Sequence, residues 1–151
     1  MLKYKILHIV GGMDKGGTET MLMNIYRKID INNVQFDFLY TTNRETYYDK
    51  EIKKLGGNIF RIDSLNIFNI NKMVNQISDC INKNGPYKAI HAHTLFNCGI
   101  AMKAAKKSGV NIRISHAHTT ADNEVGLARK IYISLMRKLI LDNSTNLLAC
   151  S

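Results

Sequence analysis

Six short stretches rich in β-branched and aromatic residues alternate with helix-period patterns along the chain, and this alternation restricts the fold more than any other feature. A strand-helix-strand succession joins parallel neighbours through a crossover. The expected architecture is therefore α/β: a Rossmann-like parallel sheet with helices on both faces. Strands are read at residues 3–10, 34–40, 58–62, 88–93, 111–118 and 146–151. Between them, Met21, Leu22, Ile25 and Ile29 mark one apolar helix stripe, Tyr48, Ile52 and Leu55 a second, and Ile70, Met73, Val74, Ile77 and Ile81 a third. Gly56 or Gly57 supplies a helix C-cap, and Gly85-Pro86 stops the third helix. A fourth helix over 97–107 carries Ala101, Ala104 and Ala105, small enough for close approach to the sheet. The fifth, over about 124–141, places Leu127, Ile131, Leu135 and Leu139 on one face.

A length of 151 residues suits one domain, read here as residues 1–151. Its last strand would ordinarily feed another helix, so the unit reads as truncated. The formal net charge of +9 favours anionic partners without choosing among them. Lysines and arginines are scattered over helical segments (Lys53-Lys54, Lys106-Lys107, Arg129-Lys130, Arg137-Lys138) and form no long basic run. No zinc-finger spacing, aromatic RNA-binding motif or helix-turn-helix signal accompanies them, so nucleic acid is not an expected partner. Cysteines at 80, 98 and 150 have no close spacing and imply no disulfide framework. The N-terminus lacks a signal-peptidase site and no stretch approaches 18 uninterrupted apolar residues, which leads to the expectation of a cytoplasmic protein.

In open parallel sheets, ligands bind beyond the C-terminal ends of the strands, where strand order reverses. The turn after the first strand contains Gly11, Gly12, Gly16 and Gly17, followed by Thr18 and Glu19 at a helix start. Glycines permit close backbone approach, and a helix N-terminus presents unpaired amides, so the turn suits a phosphate or carboxylate. Its spacing matches neither the dinucleotide fingerprint nor the phosphate-binding lysine loop. His91 and His93 end the fourth strand, and His116 and His118 the fifth. A two-residue spacing sends both members of a pair to one face. His91, His116 and mid-strand His8 are read as structural, with the terminal members released toward ligand. A four-histidine metal site would need the two pairs to face one another, and alternation of burial in parallel strands argues against that, so no metal is assigned. Thr94, Thr119 and Thr120 add hydroxyls on the same edge, and Asp122, Asn123 and Glu124 add acceptors.

The pieces KILHIVGGMDKGGTETMLMNIYR, YYDKEIKKLGG, YKAIHAHTLFNCGIAMKAAKKSGVNIRISHAHTT and NLLACS, in this order, resemble the retaining glycosyltransferases of the two-domain GT-B type (family 4-like), which include bacterial polysaccharide and capsule enzymes. The resemblance covers essentially the whole chain. It implies an N-terminal, acceptor-side domain whose C-terminal nucleotide-sugar-binding partner domain is absent here, leaving the fragment alone inactive. By motif, it implies that Gly16 and Gly17 approach donor phosphates and acceptor, that His118 contacts the transferred sugar with Thr119 beside it, that His116 is the alternative for that role, and that His93 lies near the cleft. The implied reaction transfers a sugar from a nucleotide-sugar donor to a glycan or lipid-linked acceptor with retention, in cell-surface polysaccharide biosynthesis, with no cofactor. Basic helices are compatible with peripheral contact at an anionic inner leaflet. The rival readings are a nucleotide-sugar epimerase of the same architecture and a non-catalytic domain binding an anionic ligand.

Overall fold

The computed structural model describes residues 4–63, 69–118 and 126–150. Its strands are β1 (Tyr4–Val10), β2 (Val34–Tyr40), β3 (Ile59–Arg61), β4 (Ala89–Ala92), β5 (Ile112–Ala117) and β6 (Asn146–Ala149). The helices are α1 (Gly17–Tyr26), α2 (Asp49–Lys54), α3 (Ile70–Asn84), α4 (Cys98–Lys107) and α5 (Leu127–Asn143). All six strands pair in parallel in the order β3-β2-β1-β4-β5-β6. The Rossmann-like α/β architecture read from the sequence is the one observed. Strand order reverses at β1, so the switch point lies between the C-terminal ends of β1 and β4. There the His93 amide donates to the Ile9 carbonyl at 2.9 Å.

Two apolar clusters fill the two sides of the sheet. Leu7, Ile9, Leu39, Ile90 and Ala92 pack with Met73, Val74 and Ile77 of α3, the alanines of α4 and Met136 of α5. On the other face Phe36, Phe38 and Tyr40 pack with Leu22, Met23 and Tyr26 of α1 and Ile52 of α2. Right-handed crossovers explain the division, because connections running from β1 toward β3 and those running back from β3 toward β6 go in opposite directions across the sheet and lay their helices on opposite faces. The α1 stripe differs from the sequence reading: Ile25 is exposed, while Met23 and Tyr26, outside that stripe, are buried.

The α5 stripe needs a larger correction. Leu127, Ile131 and Leu135 are 75%, 61% and 44% exposed, and the helix instead turns Met136 inward with Tyr132, Leu139 and Ile140 packed beside it. Apolar residues occur on several sides of α5, so periodicity alone did not select the buried side. Close approach to α4 does select it. A Cβ on Gly99 would stand 2.7 Å from Leu139 Cβ and 2.8 Å from the Met136 carbonyl oxygen, so this glycine fixes where α5 can lie. Gly56 follows α2 at φ +87, a left-handed conformation that favours glycine and matches the expected cap.

Candidate functional site

The glycine turn and the histidine pairs emerge at the same edge of the sheet. Gly16 is the N-cap of α1 and Gly17 its first residue. A side chain at Gly16 would collide with the Glu19 carboxylate, which folds back over it, whereas a Cβ at Gly17 would meet nothing within 4 Å. The turn is held from the side by residues 44–48. Arg44 pairs with Asp14, the Tyr48 amide donates to the Met13 carbonyl at 2.9 Å, and the Met13 amide donates to Thr46 Oγ1 at 3.3 Å. Thr46 in turn donates to buried Asp49, which also accepts from Tyr40 Oη at 2.9 Å and pairs with Arg61. Burial alone would raise the Asp49 pKa, but these hydrogen bonds and the guanidinium outweigh it and hold the carboxyl below its ordinary value. Nothing in the periodicity of residues 44–49 announced this clamp.

All five histidines of the chain form one connected group. His8 is in register with His91, and Ala92 with Ser115, which sets the next residues, His93 and His116, side by side on the same face. The expectation that alternation separates the pairs is thus incorrect: equal parity in paired parallel strands points all of them to the α1 side. On that side the apolar cluster stops near β1, and histidines continue the face across β4 and β5. His91 and His93 rings are 4.1 Å apart between centroids, as are His116 and His118.

Among the described residues, hydrogen bonds run from ring to ring. His8 Nδ1 lies 3.2 Å from His93 Nε2, and His93 Nδ1 lies 2.8 Å from His118 Nε2, a line from the core to the strand exit. In a parallel line His91 Nε2 is 3.2 Å from His116 Nδ1. Cys150 Sγ, just past β6, is 3.4 Å from both His116 Nε2 and His118 Nδ1. His8, His93 and His116 are buried; His91 and His118 are partly exposed. Burial lowers the pKa of every ring, with neighbouring imidazoles adding to it at His8, His91, His93 and His118, and His91 falls to about 4. Near neutral pH these rings are uncharged, so each offers one donor and one acceptor nitrogen.

Of the site residues expected from the sequence, the structure gathers His93, His116 and His118 within one contact network and sets Gly16 and Gly17 at the start of α1. His93 is not released at the strand end: it sits between His8 and His118 with both nitrogens engaged. Thr119, with Thr120, Asp122, Asn123 and Glu124, lies outside the described residues. His8 and Cys150 are cluster members that the sequence reading left out, and their shared parity with the paired histidines is the signal that identifies them once strand order is known.

No protein-family model matches the chain. Over 147 residues, 97% of its length, it is 42% identical to a Bacillus subtilis (strain 168) protein named "Putative glycosyltransferase EpsF". The chain is similar to proteins named as glycosyltransferases. It is also 24% identical over 149 residues to the capsular polysaccharide biosynthesis glycosyltransferase CapH of Staphylococcus aureus. It spans 38% of the first relative's length and 40% of the second's. A solved glycosyltransferase structure from Rickettsia africae ESF-5 superposes on 97% of the chain with a TM-score of 0.62 at 17% identity, covering 42% of that protein and supporting the same fold.

Proposed function

We propose that this chain is the acceptor-side domain of a retaining glycosyltransferase of the two-domain GT-B type, family 4-like, acting in cell-surface polysaccharide biosynthesis. The observation that carries the reading is the convergence of the glycine turn and the histidine network on one strand-end edge, in a chain 42% identical to a named glycosyltransferase relative. A second domain, beyond the described chain, would supply most of the nucleotide-sugar site and close a cleft over this edge. Transfer breaks the bond between anomeric carbon and phosphate oxygen, forms a bond from the acceptor oxygen to that carbon on the same face, and moves the acceptor proton to the departing phosphate.

His118 is the sugar-contacting residue in this reading. His93 holds the Nε2 of His118, and a sugar hydroxyl that displaces the Cys150 thiol, 3.4 Å from Nδ1, is oriented and polarised by that nitrogen rather than deprotonated by a free base. His93 acts through His118 as a positioning residue, and His116 holds the neighbouring ring. The α1 amides at Gly17 and Thr18 add positive potential for phosphate departure once Glu19 swings aside.

No helix among the described residues is long and apolar enough to cross a membrane. Exposed Leu127, Ile131 and Leu141 share α5 with Lys130, Arg137 and Lys138, which supports peripheral contact with an anionic membrane face on the cytoplasmic side and access to a lipid-linked acceptor. The test is a product assay on the full-length protein with a panel of nucleotide sugars and polyprenyl-linked saccharides. Release of free nucleotide with an acceptor glycosylated in the donor's anomeric configuration is expected. An isomerised sugar nucleotide, or an inverted linkage, would contradict the reading.

A further inference from the structure

The histidine network that the sugar-transfer reading draws on also offers a second chemistry. One ring nitrogen from each of His93, His116 and His118 lies within 4.8 Å of the others, and His8, His91 and His93 form a similar group deeper in the sheet. We propose that His93, His116 and His118 bind a divalent transition-metal ion of the zinc class.

Donor chemistry selects the ion. Imidazole nitrogens suit zinc and its neighbours in the first row, whereas magnesium and calcium require oxygen ligands, which this group does not offer among the described residues. Geometry is close to what such an ion needs. Bonds of about 2.0–2.1 Å to nitrogen set tetrahedral ligand nitrogens roughly 3.3 Å apart. The pair His93 Nδ1 and His118 Nε2, at 2.8 Å, has to open by about 0.5 Å, while Cys150 Sγ faces the opposite nitrogen of His118 and stays outside the ligand set.

The surrounding rings are placed as supports. His93 Nε2 faces His8 Nδ1 and His116 Nδ1 faces His91 Nε2, each at 3.2 Å, so the inner histidines engage the far nitrogens and leave His93 Nδ1 and His116 Nε2 directed outward. An ion enters from the strand-end side, where His118 is half-buried and Cys150 exposed. Equal strand parity removes the objection that the two pairs face apart.

Ion and sugar compete for the His118 ring, so the metal-bound form is not the transferring form, and the test of metal binding contains no sugar. Untagged full-length protein is titrated with zinc against a chromophoric chelator, and separately loaded with cobalt for its absorption spectrum. One zinc per chain with a dissociation constant below about 10 μM is expected. Tetrahedral ligand-field bands in the cobalt form are also expected. His116→Gln and His118→Gln should each weaken zinc binding at least about tenfold, the size of loss seen when a site loses a supporting group. His118 lies at the strand exit, so its variant is the one expected to keep the wild-type circular dichroism, and the cobalt spectrum of the unaltered protein needs no variant. Absence of zinc binding, an octahedral cobalt spectrum, or binding unchanged in folded His118→Gln would each overturn the proposal.

Discussion

Replacing Gly99 by alanine tests how the α4–α5 pair positions β6 and the site edge. The new methyl group would lie 2.7 Å from Leu139 Cβ, 2.8 Å from the Met136 carbonyl oxygen and 3.3 Å from the Ile140 nitrogen. Contacts between such atoms are comfortable at about 3.5 Å, so α5 has to retreat by roughly 0.7 Å. Backbone and Cβ atoms of a packed helix cannot yield as a flexible side-chain end does. Overpacking of this kind costs about 1–3 kcal/mol. Alanine's better helix propensity returns up to ~1 kcal/mol, and less near a helix start, where Gly99 sits. The net expectation is a loss of about 1–2 kcal/mol, or a Tm decrease of roughly 2–8 °C for a unit of this size. Thermal unfolding of the full-length variant, combined with faster hydrogen exchange across α4 and α5, is the readout. A Gly99→Ala protein as stable as wild type, with unchanged exchange, would refute the argument that this glycine sets the helix separation.

Other substitutions separate folding from function. Gly17→Ala adds a methyl group where nothing lies within 4 Å, so Tm should stay within about 2 °C of wild type. If the α1 start approaches phosphate, transfer by the same variant should fall by about tenfold or more in kcat/KM. Asp49→Asn leaves Arg61 unpaired at the clamp behind the glycine turn and should cost about 3 kcal/mol, read by chemical denaturation. Because the folded-state pKa of Asp49 lies below its ordinary 3.8, its contribution is complete above that value and is lost as pH falls through the lower folded pKa. Wild-type stability should therefore drop more steeply below pH 4 than that of Asp49→Asn, and equal acid profiles would show that the carboxylate pairing contributes nothing.

Strand positions were legible because each is a short apolar run bounded by turn residues, and the two-residue spacing of His91/His93 and His116/His118 correctly predicted that each pair shares a face. Whether the two pairs share the same face depends on strand order and register, which are long-range properties absent from any local window. That is why His8 and Cys150, distant in sequence, were not recognised as neighbours of these pairs. The α5 stripe was misread for a related reason: Leu127, Ile131 and Leu135 have helical spacing, yet the face that packs is chosen by the gap over Gly99 on another helix. The glycine turn lies at the C-terminal edge of the sheet, as its place after the first strand implies, but its clamp from Arg44, Thr46 and Tyr48 arises from folding two loops together.

The most direct test of the account is the transfer rate of full-length His118→Ala once donor and acceptor have been found by the product assay. Loss of a polarising contact at the reacting sugar predicts a decrease in kcat of about 100-fold, with Tm changed by no more than a few degrees because this ring sits at the strand exit. Wild-type turnover and donor affinity in a folded His118→Ala protein would contradict the placement of sugar transfer at the histidine edge.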